Sequence, residues 1–268
     1  MIIRKSPAEI DKIAAAGDIV VRTHRLLERA VRAGVTTAEL DAAAERFIRS
    51  QGGVPTFKGY RGFPASICAS PNSMVVHGIP GPYALERGDL ISLDVGVTLD
   101  GWVADAARTL AVGPVGPIAQ KLLEGTESSL MAAVEQCHVG NRLGDVSHAV
   151  QTCAEAAGLS IVRTLVGHGV GRKMHEDPQI PNFGEPGTGP RLQEGMVLAI
   201  EPMTTAGGPG VRVGSDGWAI YSQDGSLTAH FEFTLAITAE GPRVLTPWHL
   251  LDGEEPLVGN IRGRARVT

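Results

Sequence analysis

Cysteine is scarce: Cys68, Cys137 and Cys153 are the only three in 268 residues, and none has the spacing of a zinc ribbon or a disulfide framework. That scarcity fits a reducing compartment. No apolar run approaches the length of a membrane helix, so no membrane association is expected. The start, MIIRKSPAEIDKIAAAG, enters a helix signal instead of the apolar block and cleavage site of a signal peptide, which makes the cytoplasm the expected location. An excess of basic charge is missing too. With 24 Lys and Arg against 29 Asp and Glu, the net charge is -5 and no basic run occurs, which argues against nucleic acid as a partner. What remains is a chain with 43% hydrophobic and 20% charged residues, long enough to bury a sizeable core.

Ser6-Pro7-Ala8-Glu9 is a capping box with proline at the first helical position, and apolar periodicity continues to about Val31. Thr36-Thr37-Ala38-Glu39 opens a second helix that Gly52-Gly53 stops. After a loop rich in Gly, Pro and aromatics, β-rich runs at 90–98 and 102–112 are joined by Leu99-Asp100-Gly101, a strong hairpin signal. Helices over 117–138 and 145–157 and strands near 161–166, 196–202, 217–222 and 227–238 complete the expected elements. The second half repeats the first: LERGDLISLD and LQEGMVLAIE align without a gap, matching Leu85 with Leu192, Gly88 with Gly195 and Asp94 with Glu201. The expectation is a single domain spanning 1–268 with halves at about 1–115 and 116–250 around a shared cleft, and a tail at 251–268.

The hairpin carries carboxylates in an apolar setting, and burying an unpartnered carboxylate costs several kcal/mol or neutralises the group. With Asp100 and Gly101 as the turn, Asp94 opposes Ala107 and Asp105 opposes Gly96, so the two acids are diagonal neighbours about 7 to 8 Å apart on one face. Glu201 sits in the equally apolar MVLAIEPM and Glu232 in AHFEFTLAI. His168 and His175 lie in the glycine-rich LVGHGVGRKMHEDPQIPN, and His77 follows a short apolar run. Four carboxylates with one or more of these imidazoles, and no paired cysteines, suit two divalent ions such as Mn, Fe or Co, whose charge would offset that of the acids.

Six stretches in order, GYRGFPASICASPN, VVHGIPG, LDVGVTLDGWVADAART, GHGVGRKMHEDPQIPN, GMVLAIEPM and HFEFT, resemble the bacterial type I methionine aminopeptidases. The resemblance spans roughly residues 6–248. It implies the pita-bread fold, an α/β (α+β) architecture of two pseudo-symmetric helix-helix-strand halves with an antiparallel sheet enclosing a dinuclear metal cleft. It implies Asp94, Asp105, His168, Glu201 and Glu232 as metal ligands, with Asp105 and Glu232 bridging. His77 and His175 match the family's two non-ligand active-site histidines, and Glu201 its general base. Tyr60, Phe63, Cys68 and Trp218, with Phe57 and Met174 beside them, match its pocket for the methionine side chain.

The implied reaction is hydrolysis of the first peptide bond of nascent polypeptides and peptides, using two divalent ions (Co, Mn, Fe or similar) and preferring a small second residue; a monomer is expected. A monovalent cation near Asn72 is a further expectation, although Pro71 and Ser73 depart from the family pattern there. Phe233 stands where the family usually has a histidine, removing a polar group beside the centre. The alternatives are an X-Pro aminopeptidase of the same fold and a non-catalytic peptide-binding module. A first helix opening at residue 6 and the short interval from His175 to Glu201 favour the type I reading over proline-specific and type II enzymes.

Overall fold

A computed structural model of the chain describes residues 1–250; the expected tail at 251–268 lies outside the described residues. Both capping boxes form. Glu9 accepts from the Ser6 amide at 2.8 Å and opens α1 (Pro7–Ala30), and Glu39 accepts from the Thr36 amide at 2.8 Å and opens α2 (Thr37–Ser50). In the second half, α3 (Pro117–Val134) ends before the expected His138, because 135–138 close into tight turns. The last helix, α4 (Leu143–Ala156), begins earlier than expected, since the Asp145 carboxylate accepts from the Arg142 amide at 2.7 Å and so sits inside the first turn.

The strands Leu90–Leu99 and Trp102–Ala111 form the expected hairpin, pairing Leu99 with Trp102, Asp94 with Ala107 and Gly96 with Asp105. Asp100 and Gly101 have φ of 49° and 75°, both left-handed, which matches the right-handed twist of the flanking strands and fixes this register. Cys68–Pro71 adds to Leu90–Leu99 with Cys68 opposite Asp94. Packed over this sheet is α1, whose buried His24 places Nε2 2.9 Å from the carbonyl oxygen of Ala106.

A second antiparallel sheet of five strands runs Gly241–Val244, Phe233–Thr238, Val197–Ile200, Val166–Gly169, Glu176–Pro181. A three-stranded sheet runs Thr228–His230, Met203–Thr205, Ser160–Ile161 and packs against α3. The same local hydrogen bonding occurs twice along the chain. Gly34 donates to Leu85 O and Leu85 to Val35 O in one, while Gly140 donates to Leu192 O and Leu192 to Asn141 O in the other. The isolated bridges Thr36–Ala84 and Arg142–Arg191 are likewise matched.

Four expected strands are shorter or broken. The run at 161–166 is two strands, Ser160–Ile161 and Val166–Gly169, and that at 217–222 is only Ile220–Ser222. Those at 196–202 and 227–238 stop where the chain passes between the five-stranded and three-stranded sheets. Glu201 and Pro202 separate Ile200 from Met203 on one side, and Phe231 and Glu232 separate His230 from Phe233 on the other. At this second break the Glu232 amide leaves its own ladder and donates to Ala107 O, 2.9 Å away on the hairpin. Like a bulge, the break re-aims a side chain, here a carboxylate toward the Asp105 side of the hairpin.

Candidate metal centre

The hairpin supplies Asp94 and Asp105, the two breaks supply Glu201 and Glu232, and the strand Val166–Gly169 supplies His168. All five line one cavity of about 190 Å³. Asp105, His168 and Glu232 offer ligand atoms that lie within 4.8 Å of one another. His168 Nε2 is 3.7 Å from Asp105 Oδ2 and 3.6 Å from Glu201 Oε1. Asp94 Oδ1 is buried without a hydrogen-bond partner.

His168 is oriented by its backbone surroundings. The glycines flanking it are demanded by close approach, since a Cβ on Gly167 would sit 2.3 Å from Ala199 O and one on Gly169 2.1 Å from Asp177 O. Its Nδ1 lies 2.9 Å from Gly169 O, an arrangement in which the ring donates from Nδ1 and leaves the Nε2 lone pair facing the acids. Asp105 is held by Thr234, whose hydroxyl is 3.0 Å from Oδ1 and also bonds the Asp105 backbone. Sequence reasoning missed Thr234; its one signal is a position two residues beyond Glu232 in a strand.

Without a cation, this cluster resists ionisation. Burial, reinforced by Asp105 and Glu201, pushes Asp94 well above the usual carboxylate range, and burial with the same neighbours and Asp94 does so for Glu232. Burial raises Glu201 to about 8 and also raises Asp105, in both cases opposed by His168. Five hard or borderline donors, mutual repulsion and an orphaned Asp94 oxygen together fit divalent cations.

His77 and His175 line the same cavity. His77 has a left-handed φ of 60°, the kind of strain that local structure sustains at functional sites. Burial lowers its pKa to about 4, helped by His230. The His175 ring centroid is 4.3 Å from that of His168, and burial followed by His168 lowers it to about 4 as well. The loop carrying His175 is pinned by a buried ion pair, Lys5 Nζ to Glu176 Oε2 at 2.7 Å.

The predicted pocket residues Tyr60, Phe63, Cys68 and Trp218, with Phe57 and Met174, all contribute to the cavity wall. Phe63 meets Trp218 edge-on at 5.1 Å. Tyr60 also hydrogen-bonds His175 Nδ1 at 2.8 Å, a contact absent from the sequence-based expectation. Arg61 is another wall residue that sequence reasoning missed. Sequence reasoning also missed His230, which is buried behind the wall with Nε2 3.5 Å from Glu201 Oε2. Phe233 is fully buried against Trp248, with ring centroids 4.8 Å apart, so apolar packing replaces the polar group expected at that position.

The model of metallopeptidase family M24 matches residues 11–239, most of the chain. The chain belongs to metallopeptidase family M24. Among its M24 relatives, the methionine aminopeptidase of Clostridium perfringens is 52% identical over 246 residues, covering 92% of this chain and 99% of that protein. Methionine aminopeptidase 1 of Mycobacterium tuberculosis is 47% identical over 253 residues, covering 92% and 95%. The crystal structure of methionine aminopeptidase from Thermotoga maritima superposes with a TM-score of 0.91 at 42% identity, over 92% of this chain and 99% of that one. These matches establish the pita-bread architecture of M24. A prolidase from Pyrococcus horikoshii, at 22% identity and TM-score 0.73, shares the fold alone.

Proposed function

We propose that this chain removes the N-terminal methionine from nascent proteins and peptides, favouring substrates with a small second residue. The observation that carries this reading is one cavity that combines five metal-type donors, two further histidines and an aromatic wall. Near 50% identity to methionine aminopeptidases over most of the chain supports it over the X-Pro alternative. The complete donor set argues against a binding-only module.

Asp94, Asp105, His168, Glu201 and Glu232 would hold two divalent ions such as Co, Mn or Fe. Ions bound there would supply Lewis acidity, making a water easier to deprotonate and polarising the scissile carbonyl, the general pattern of two-metal hydrolases, aminopeptidases among them. Glu201 takes the proton of the attacking water on its carboxylate and later returns it to the leaving amine. A Tyr60 hydroxyl donated to Nδ1 of His175 leaves that ring's proton on Nε2, available to the developing oxyanion. His77 contacts the nitrogen of the scissile bond. Tyr60, Phe63, Cys68 and Trp218 enclose the methionine side chain, whose burial contributes about 2 kcal/mol to binding.

A monovalent cation near Asn72 belongs to the same reading. The carbonyl oxygens of Asn72 and Met74 converge, lying 2.9 and 3.0 Å from one Thr228 hydroxyl that has a single proton to give. Substrates that are nascent N-termini require the cytoplasm, and no helix among the described residues is long and apolar enough to cross a membrane. The chain acts as a monomer in this reading.

The test is hydrolysis of Met-Ala-Ser against an X-Pro peptide, before and after chelation. Methionine release that chelation abolishes is expected; cleavage of the proline peptide alone would overturn the assignment.

A further inference from the structure

We infer that His230 is a positioning residue for Glu201: its Nε2–H donates to Oε2 and fixes which carboxylate oxygen faces the His168 side. This rests on the reading of Glu201 as the general base.

The His230 ring is 2% exposed, and its Nε2 has no hydrogen-bond partner among the described residues. Buried polar atoms of this kind almost always find a partner. The carboxylate oxygen facing it is Glu201 Oε2 at 3.5 Å, while Glu201 Oε1 lies 3.6 Å from His168 Nε2. One carboxylate thus stands between two imidazoles, with a different oxygen turned to each. Hydrogen bonds of an active site are commonly long before substrate binds and shorten afterwards, so 3.5 Å is compatible with a donor poised for Oε2.

The backbone holds the ring in this place. The His230 amide donates to Thr109 Oγ1 at 2.8 Å, Thr109 Oγ1 donates back to His230 O at 2.9 Å, and His230 pairs with Met203, two residues beyond Glu201. A neutral imidazole carries one N–H, and an anionic oxygen opposite Nε2 favours the proton there. A carboxylate that accepts and returns a proton gains from this arrangement, because rotation about its terminal bond would exchange the two oxygens. Phe233 offers no such donor, being packed on Trp248.

The test compares His230→Leu with His230→Gln, whose amide can still donate. Loss of a hydrogen bond to a charged group corresponds to a fall of about tenfold or more in kcat for His230→Leu, with KM and bound metal unchanged. His230→Gln should recover most of that loss. Ring nitrogen NMR of the unmutated protein loaded with a diamagnetic divalent ion, where Glu201 is ionised, should find the His230 proton on Nε2. A proton on Nδ1, or His230→Leu with unchanged kcat, overturns the proposal, as does equal impairment of the two variants. If His230→Leu does not fold, the NMR assignment and His230→Gln still decide. Activity retained by Glu201→Gln would instead remove the general-base reading, and the position of the His230 proton would separate the two failures.

Discussion

Stripping the metal should make this protein lose stability as pH rises from 7 to 8. In the metal-free chain Glu201 titrates at about 8, and Asp94 and Glu232 lie well above the carboxylate range, mainly through burial. Each keeps a proton in the folded state that the unfolded chain has already released. Its contribution is therefore full below the unfolded pKa and is lost as pH rises through the folded one. The depressed values of His24, His77, His175 and His230, at about 4, 4, 4 and 3, act below their unfolded pKa near 6.5, so the chosen window isolates the acids. Glu201 alone should cost about 1 kcal/mol across that unit of pH, and each other carboxyl that stays protonated adds up to about 1.4 kcal/mol. The expected total is about 1 to 4 kcal/mol, read from urea unfolding of chelated protein at pH 7 and pH 8. Loaded protein should not show the fall, because the ions bind ionised ligands and hold on better at higher pH. Chelated protein whose stability is flat or rising between pH 7 and 8 would refute the claim that these acids are held protonated without metal.

Two other perturbations follow from the geometry. Tyr60→Phe removes the 2.8 Å contact to His175 and should lower kcat about tenfold while leaving the unfolding midpoint in place; steady-state kinetics with Met-Ala-Ser would show it. Gly167→Ala drives a Cβ to 2.3 Å from Ala199 O and should destabilise the folded chain by at least about 2 kcal/mol, measured by urea unfolding, with metal binding weakened because His168 is displaced.

Much of this site can be traced to local signals. The Asp100-Gly101 turn fixes the hairpin register, and the register in turn sets Asp94 and Asp105 on one face, so the two-acid face follows from the turn alone. The capping boxes at Ser6 and Thr36 likewise define the starts of α1 and α2 within a residue. Features that depend on distant partners are different. Glu232 departs from its strand because its amide finds Ala107 O on the hairpin, a bond between residues far apart in sequence, whereas the alternation of apolar and polar residues at 227–238 reads as one strand. In the sequence His168 is distinguished from His77 and His175 only through the family resemblance; its Gly169 carbonyl and its distances to Asp105 and Glu201, the physical grounds for the choice, exist only in the fold. His230 is invisible for the same reason: a histidine two residues before an acid in a strand acquires meaning only when Glu201, from another strand, is folded against it.

On this reading four carboxylates and one imidazole hold a pair of divalent cations. Anomalous diffraction from crystals of manganese-loaded protein tests it most directly, together with the metal content of Asp94→Ala. Two peaks are expected among Asp94, Asp105, His168, Glu201 and Glu232, and fewer ions per chain in the variant. A single peak outside that set, or an unchanged metal content in Asp94→Ala, would contradict it.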